Sequence, residues 1–157
     1  MTKFPMTTEG HSKLQAELKH LINEERPNII KLISEARSHG DLSENAEYHS
    51  AKERQSFIEG KIAELESIIA QAEVIDVSLL SGKEVKFGAT VSVIDEDNNQ
   101  ESTYQIVGNS ESDIENNKLS ISSPLARALI GKEKGSVVEF NSPKGIKTYK
   151  IKFVKYK

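Results

Sequence analysis

The sequence predicts an α+β protein: an N-terminal antiparallel coiled-coil hairpin of α-helices, followed by a small, mostly antiparallel sheet domain with one short helix. Three observations predict it. Apolar residues recur every three or four positions through the first half, the period changes to two after Ile75, and turn residues separate the runs in both halves. We therefore divide the 157 residues into a hairpin domain, 1–75, and a sheet domain, 76–157.

The first long helix is predicted by an apolar face with Glu25 as a polar interruption. Its members are Leu14, Leu18, Leu21, Ile29, Leu32 and Ala36. Pro27 lies inside this run, where its missing N–H removes one backbone hydrogen bond. Because the apolar spacing resumes directly after Pro27, we expect it to bend the helix rather than end it.

The second long helix carries the seam of a coiled coil, interrupted by a single glutamine. The seam comprises Tyr48, Ala51, Gln55, Ile58, Ile62, Leu65, Ile69 and Ala72. The segment between the helices, 38–43, contains a helix-ending Gly40 followed by residues that start helices. A connection this short favours an antiparallel hairpin. Each arm would be roughly 40 Å long at about 1.5 Å per residue, so the tip is expected to project into solvent.

Period-two runs predict the strands of the second half at 90–94, 102–107, 118–121, 136–140 and 146–154. Turn residues between paired runs predict at least two hairpins, at 95–99 and 141–145. A short helix is predicted from Pro124 to Ile130, with Ser123 placed to cap it and Gly131 closing it.

The composition excludes several classes of function. With 21 Lys and Arg against 24 Asp and Glu, the net charge of −3 disfavours a mainly electrostatic nucleic-acid binder. The absence of Cys excludes disulfides, thiolate metal sites and thiol nucleophiles. The four His lack the close pairing of a zinc helix, and no His and Ser or Lys constellation suggests nucleophilic catalysis. Neither a signal peptide nor an apolar run of about 18 residues is seen, so we expect a cytoplasmic protein with no membrane contact.

The charges are unevenly distributed along the chain. The net charge is −4 up to Ile75, −5 over residues 76–130 and +6 from Gly131 onward, where every basic residue is a lysine.

The candidate chemistry lies in the acidic tip of the hairpin, residues 40–47. Asp41 and Glu44, three residues apart at a predicted helix start, can turn two carboxylates to one side. Such oxygen ligands suit Mg²⁺, although two of them hold the ion weakly unless a partner completes its coordination. A structural explanation also fits: Asp41 or Ser43 can cap the second helix, while Glu44 and Glu47 suit its dipole. Spacing alone leaves capping and metal binding both open.

Three basic residues, Arg37, Lys52 and Arg54, lie within a few helical turns of the tip. They could grip an acidic or phosphate-bearing surface, although solvated helix faces carry such residues routinely.

Several stretches, spread over nearly the whole chain, resemble the Gre family of transcript-cleavage factors of bacterial RNA polymerase. They are Pro5-Met-Thr, Arg26-Pro27, Glu35-Ala-Arg-x-His-Gly-Asp-Leu-x-Glu-Asn-Ala-Glu-Tyr48, Phe87-Gly-Ala-Thr90, Ile106-Val-Gly108 and Ser122-Ser-Pro-Leu-Ala-Arg-Ala-Leu-Ile-Gly-Lys132. The tip motif is much more specific than an acidic pair. One departure is Ser43, which occupies a position that is often basic in the family.

The resemblance implies a coiled-coil hairpin joined to a polymerase-docking domain of FKBP-like fold. In the family, the hairpin enters the secondary channel of the polymerase, and its tip reaches the active centre of a backtracked complex, where the nascent RNA 3′ end is cleaved. By motif position, Asp41 and Glu44 take the catalytic role and hold the second Mg²⁺ jointly with RNA polymerase. Such a protein binds no Mg²⁺ stably alone. It is not an enzyme by itself, because it stimulates the cleavage activity of the polymerase.

With RNA polymerase as the implied partner, the candidate contact residues near the tip are Arg37, Tyr48, Lys52 and Arg54. In the second domain, the resemblance indicates Ser123 and Pro124. For Ser123 and Pro124 a purely structural role, as a helix start that holds Leu125 and Leu129 in the core, is at least as well supported by the sequence.

Two other functions remain open. A regulator could bind the secondary channel and inhibit without cleaving, but the retained Asp41 and Glu44 argue against it. The second domain could be a prolyl isomerase or chaperone. Its aromatic residues lie within predicted strands, where they pack a sheet more readily than they line a proline pocket: Tyr104, Phe140, Tyr149 and Phe153.

Overall fold

The computed structural model describes residues 3–40 and 44–156. It divides into two compact units, one spanning His11–Gln71 and the other combining the chain up to Gly10 with the chain from Ala72 onward. The predicted α+β class is confirmed. The sequence predicted a single boundary, between Ile75 and Asp76. The compact units are divided differently, because segments that are distant along the chain pair with each other.

The first arm of the hairpin is one continuous helical stretch that changes type in the middle. It consists of α1 (Thr8–His20), a π-helical segment (Leu21–Glu25) and α2 (Arg26–Arg37). At their junction the N–H of Arg26 donates to the carbonyl of Leu21, five residues back. Pro27 follows directly, in the first turn of α2, where its missing N–H is tolerated. The helix therefore continues through Pro27, as predicted.

The predicted apolar face needs one correction. Leu32 was expected in the seam, but it is 53% exposed, and Ile33 packs against the core in its place. Ile33 lies four residues after Ile29, and residues three and four apart share a helix face, so the spacing fits either residue. Ile29 and Ala36 are buried, as expected.

The second arm is α3 (Ala46–Ala70). Arg26 contacts Glu59 of α3, and Ala36, further along the first arm, contacts Asn45, so the two arms run antiparallel. Their shared core is a single row of buried side chains comprising Leu21, Ile29, Ala51, Ile58, Ile62 and Leu65.

The other unit contains two sheets. The larger has the strand order β5-β4-β3-β7-β6 and consists of β3 (Thr90–Asp95), β4 (Glu101–Val107), β5 (Lys118–Ser120), β6 (Val137–Ser142) and β7 (Gly145–Lys155). Its pairings are antiparallel except β4 with β5. The five strands agree with the predicted runs, which shows that the period-two pattern was informative.

The smaller sheet was not predicted. It pairs β1 (Phe4–Thr7) in parallel with β2 (Ala72–Ile75). Gly108, at the end of β4, lies against β1 so closely that a Cβ there would be 2.3 Å from the carbonyl oxygen of Pro5. This contact explains why a glycine follows Ile106 and Val107.

The short helix α4 (Pro124–Leu129) supplies Leu125, Ala126 and Leu129 to the core of the larger sheet. They pack with buried residues from the strands and loops, namely Val85, Ala89, Val91, Val93, Ile106, Leu119, Val138 and Ile151. Tyr104, Phe140 and Tyr149 pack against the same cluster. These three aromatic side chains therefore serve the packing of the sheet. Phe153, for which the same was predicted, is not part of this cluster, and its ring lies 4.6 Å from the ammonium group of Lys155.

Among the described helices, none combines the length and the apolar character needed to cross a membrane.

Candidate functional site at the hairpin tip

The end of the first arm is closed by local hydrogen bonds. The backbone N–H of Ser38 donates to Glu35 O, 3.2 Å away, and that of His39 donates to Ala36 O, 3.1 Å away. Gly40 follows with a φ of 112°, in the left-handed region where a side chain would be strained. Gly40 therefore ends this arm, as its position in the sequence predicted.

The second arm begins at Asn45, which corrects the predicted cap. The side-chain Oδ1 of Asn45 accepts a hydrogen bond from the backbone N–H of Tyr48 at 3.0 Å, so Asn45, rather than Asp41 or Ser43, is the N-cap of α3. Glu47 lies in the first helical turn, as expected, but Glu44 precedes the cap.

Glu44 is exposed and stands at the edge of an open hollow of about 550 Å³. The hollow is lined by His39, Glu44, Asn45, Ala46 and Glu47. No hydrogen bond or ion pair among the described residues engages the carboxylate of Glu44, so it is available to a ligand. Asp41 was predicted to act with Glu44, but it lies outside the described residues, together with Leu42 and Ser43.

The residues of the tip fit Mg²⁺ as one part of a larger ligand set. Glu44 provides carboxylate oxygens, which Mg²⁺ prefers as ligands. In residues 3–40 and 44–156, however, no three His, Asp or Glu side chains are placed to hold a metal ion together. Among the described residues of the tip, Glu44 would thus supply one ligand and not a complete site.

The basic residues near the tip differ in their surroundings. Arg54 borders a groove of about 610 Å³ between the two arms, whose apolar lining includes Ile29 and the exposed Leu32. Its guanidinium lies 3.7 Å from the carboxylate of Glu25 and 5.1 Å above the ring of Phe57. Half of the Arg54 side chain is exposed, so it can also reach a partner.

The other predicted contact residues near the tip are accessible. Arg37 is the last residue of α2 and is exposed. Lys52 is exposed, and its ammonium group donates to the side chain of Gln55 at 3.2 Å. Tyr48 is half-buried, with its ring edge-on to that of His49 at 5.5 Å between centroids. These residues lie on both arms within a few turns of the tip.

In the sheet unit, Ser123 caps α4, as predicted. Its Oγ accepts from the N–H of Ala126 at 3.3 Å and donates to the carbonyl of Ser120 at 2.7 Å. Pro124 occupies the first turn of α4 and is exposed, whereas Leu125 and Leu129 are buried. The helix-start role is therefore present in the structure, and a docking role for the same turn remains a prediction.

Asn45 is the residue of the tip whose role the sequence did not reveal. It belongs to the recognised tip motif, but its oxygen was not considered as the cap of α3. The available signal was an Asn directly before a helical run that starts with Ala-Glu-Tyr.

Comparisons with known proteins agree with the two halves of the chain. The family profile described as "Transcription elongation factor, N-terminal" matches residues 4–74, and "Transcription elongation factor, GreA/GreB, C-term" matches residues 80–156. The chain is 63% identical over 151 residues to "Transcription elongation factor GreA" of Caulobacter vibrioides, with 96% of each chain covered. It is 61% identical over 156 residues to the protein of that name in Phenylobacterium zucineum, with 99% of each covered.

A solved structure, that of the GreA factor homolog 1 (Gfh1) of Thermus thermophilus, aligns with 98% of this chain and 99% of its own at 24% identity and a TM-score of 0.45. Family membership rests on the sequence matches, which extend over both halves and reach identities above 60% with full-length relatives. The chain belongs to the GreA/GreB family of transcription elongation factors.

Proposed function

We propose that this elongation factor enters the secondary channel of bacterial RNA polymerase and stimulates Mg²⁺-dependent endonucleolytic cleavage of the 3′ RNA in backtracked, arrested complexes. The observation that carries the proposal is the carboxylate of Glu44. It is exposed at the far end of a long two-helix arm and is not engaged by the described residues around it.

The length of the arm supports delivery of this carboxylate to a recessed site. The first arm is helical from Thr8 to Arg37, which at about 1.5 Å per residue corresponds to roughly 45 Å. A slender hairpin of this length can pass through a channel that would exclude a globular domain.

At the tip, Glu44 supplies one carboxylate, and Asp41, three residues earlier, supplies the second by motif position. Both would bind Mg²⁺ together with ligands of the polymerase. Held there by Asp41, Glu44 and the polymerase, Mg²⁺ would supply a water of lowered pKa for in-line attack on the phosphodiester. Catalysis is thereby shared, and the factor alone is not a nuclease, because two exposed carboxylates neither retain the ion nor orient the RNA.

Binding to the polymerase would depend on other parts of the chain. Arg37, Tyr48, Lys52 and Arg54 would contact the channel or the RNA near the tip, where they are at least partly accessible. Ser123 and the exposed Pro124 would contribute to docking of the sheet unit.

The test is a backtracked elongation complex that contains 5′-labelled RNA. Addition of the factor with Mg²⁺ is expected to shorten the RNA and restore elongation, whereas the factor alone should leave free RNA intact. Binding to the polymerase without RNA shortening would instead indicate a non-cleaving channel regulator. Steady hydrolysis of free RNA by the purified factor would refute shared catalysis.

A further inference from the structure

The two arms of the hairpin are joined at the tip by one side chain, Asn45. Its Nδ2 donates to the backbone carbonyl of Ala36 at 2.6 Å, in the last turn of α2, while its Oδ1 accepts from the N–H of Tyr48 at 3.0 Å, in the first turn of α3. One carboxamide therefore connects the end of one helix to the beginning of the next.

Helix ends explain why such a link is valuable. The last carbonyls of α2 and the first N–H groups of α3 have no partners within their own helices. A carboxamide is both a donor and an acceptor, so Asn45 satisfies one group of each kind. The carbonyl of Ala36 also accepts from the N–H of His39, which lies at 3.1 Å. Capping of α3 alone would need only a side-chain oxygen that accepts a hydrogen bond, such as that of Ser or Asp. The N–H donor of Asn45 is therefore not explained by capping and has a second purpose.

That second purpose concerns Glu44, the residue directly before Asn45. The backbone of Asn45 is extended, with φ −87° and ψ 96°, and its side chain is fixed from both sides. The contact between Asn45 and Ala36 therefore fixes the backbone just before α3, where Glu44 lies. Groups that act together at a metal centre must be held to within about 0.5 Å, and an exposed glutamate lacks contacts of its own that would achieve this.

We infer that Asn45 is a positioning residue: its side-chain amide N–H clamps the start of α3 to the end of α2 and so holds Glu44 in the orientation that delivers its carboxylate to the shared Mg²⁺. The inference rests on the proposed cleavage function and adds a role for a residue that does not itself bind the metal.

Two substitutions separate the clamp from the cap. Asn45→Ser retains an oxygen that can accept from Tyr48, because Ser is a good N-cap, but it loses the donor to Ala36. Asn45→Ala loses both interactions. The matched control is Glu59→Gln, which breaks a hydrogen-bonded ion pair between the same two arms, with Arg26, away from the tip.

Amide hydrogen exchange measured by NMR on the free protein reads out the clamp without any metal or polymerase. In Asn45→Ser, the amide of His39, at the α2 side of the tip, is expected to exchange roughly three- to tenfold faster, the range that loss of one hydrogen bond produces. The amide of Tyr48 should keep its protection in Asn45→Ser and lose it in Asn45→Ala. Unchanged exchange at His39 in Asn45→Ser would overturn the clamp.

Cleavage of backtracked complexes then tests the positioning role. For Asn45→Ser, the Mg²⁺ concentration at half-maximal cleavage is expected to rise roughly three- to tenfold, with competition binding to polymerase unchanged and full cleavage recovered at high Mg²⁺. Glu59→Gln should leave this concentration unchanged. A Mg²⁺ curve for Asn45→Ser that superimposes on that of the wild type would overturn the inference. Failure of the wild type to cleave would refute the proposed function itself. This outcome differs from failure of the inference, in which both proteins cleave and their Mg²⁺ curves coincide.

Discussion

The hairpin unit and the sheet unit are stabilised in different ways. The hairpin buries one row of side chains between two helices, and residues directly beside that row, such as Ile30 and Leu32, are more than half exposed. In the sheet unit, α4 packs on a five-stranded sheet, so that side chains such as Val93 and Ile151 have no exposed surface. Two packed helices bury only the side chains along their line of contact, whereas a helix packed on a sheet buries side chains from several neighbouring strands.

Polar contacts also link the two arms of the hairpin at its surface. Arg26 donates two hydrogen bonds of 2.8 Å to Glu59 across the arms, and Asn45 closes the tip. In the sheet unit, the comparable contact is the carboxylate of Glu111, which accepts from the backbone N–H of Thr7 at 3.1 Å and of Gly108 at 2.9 Å. The comparison teaches that the hairpin leaves most of its side chains on the surface, while the sheet unit encloses a core of its own.

The largest expected effect concerns the tip. Asp41→Ala or Glu44→Ala should reduce cleavage stimulation to the level of the polymerase alone, while competition binding to polymerase persists, because most of the contact lies elsewhere. Circular-dichroism melts should remain close to wild type, since Asn45 and not Asp41 caps α3. Parallel loss of binding and cleavage, or undiminished cleavage, would contradict the role assigned to these carboxylates.

Removal of the hairpin is the next most severe change. A fragment from Asp76 onward retains every residue of the buried cluster that begins at Val85, so we expect it to fold alone. It should bind polymerase weakly and stimulate no cleavage. The fragment lacks β1 and β2, but neither strand contributes a residue to this cluster. A longer version that carries a tethered Phe4–Thr7 segment is therefore not required for the core. A fragment with the exchange pattern of an unfolded chain would show that the two strands are essential to the unit.

The sequence predicted the larger sheet well and the smaller one not at all, for a physical reason. The sequences of strands β3 to β7 have a period of two, and turn residues separate them, so their pattern is local. Strands β1 and β2 are four residues each and pair in parallel across the whole hairpin, with Phe4 opposite Ala72. Neither short run shows its partner in its own composition.

The tip was predicted in part for a similar reason. The motif located the acidic residues but not the cap of α3. Asp41, Ser43 and Asn45 all have a side-chain oxygen that can cap a helix, and the position at which the second helix begins selects Asn45. The choice between Leu32 and Ile33 was likewise open to spacing rules, because residues three and four apart share a helix face. Only the packing of the two arms selects Ile33.

Core truncation compares the two units directly. Ile58→Ala in the hairpin and Ile151→Ala in the sheet unit each remove a side chain with at most 1% exposure, and each should cost about 2–5 kcal/mol. Because the sheet core surrounds its residue on more sides, we expect Ile151→Ala to cost more. Urea unfolding followed by NMR signals of each unit measures both effects. The matched changes Ile58→Val and Ile151→Val should cost about 0.5–1.5 kcal/mol. An equal or larger cost for Ile58→Ala would contradict the difference drawn between the two cores.

Two substitutions at the start of α4 separate its two possible roles. Ser123→Ala removes the cap and should lower stability by about 1 kcal/mol. Pro124→Glu changes an exposed residue at a position where negative charge suits the helix dipole, so stability should be retained while binding weakens if this turn docks. Chemical denaturation and competition binding supply the two readouts. Unchanged binding by Pro124→Glu would remove this turn from the docking surface.

The smallest expected effect is the acid response of one carboxylate in each unit. The hydrogen bond from Arg26 lowers the pKa of Glu59, and hydrogen bonds from Lys152 and Ser92 lower the pKa of Glu101. A carboxylate with a lowered pKa in the folded state stabilises that state above its unfolded pKa, about 4.3, and this contribution is lost as the pH falls through the folded value. The urea midpoint should therefore fall less between neutral and acidic pH in Glu59→Gln and Glu101→Gln than in the wild type. Both groups are solvent-exposed, so the differences should be small and should shrink further in high salt.

Glu53→Gln and Glu139→Gln change exposed glutamates of the same two units and serve as controls. Acid profiles of Glu59→Gln and Glu101→Gln that match those of the controls would show that these ion pairs do not contribute to the stability of either unit.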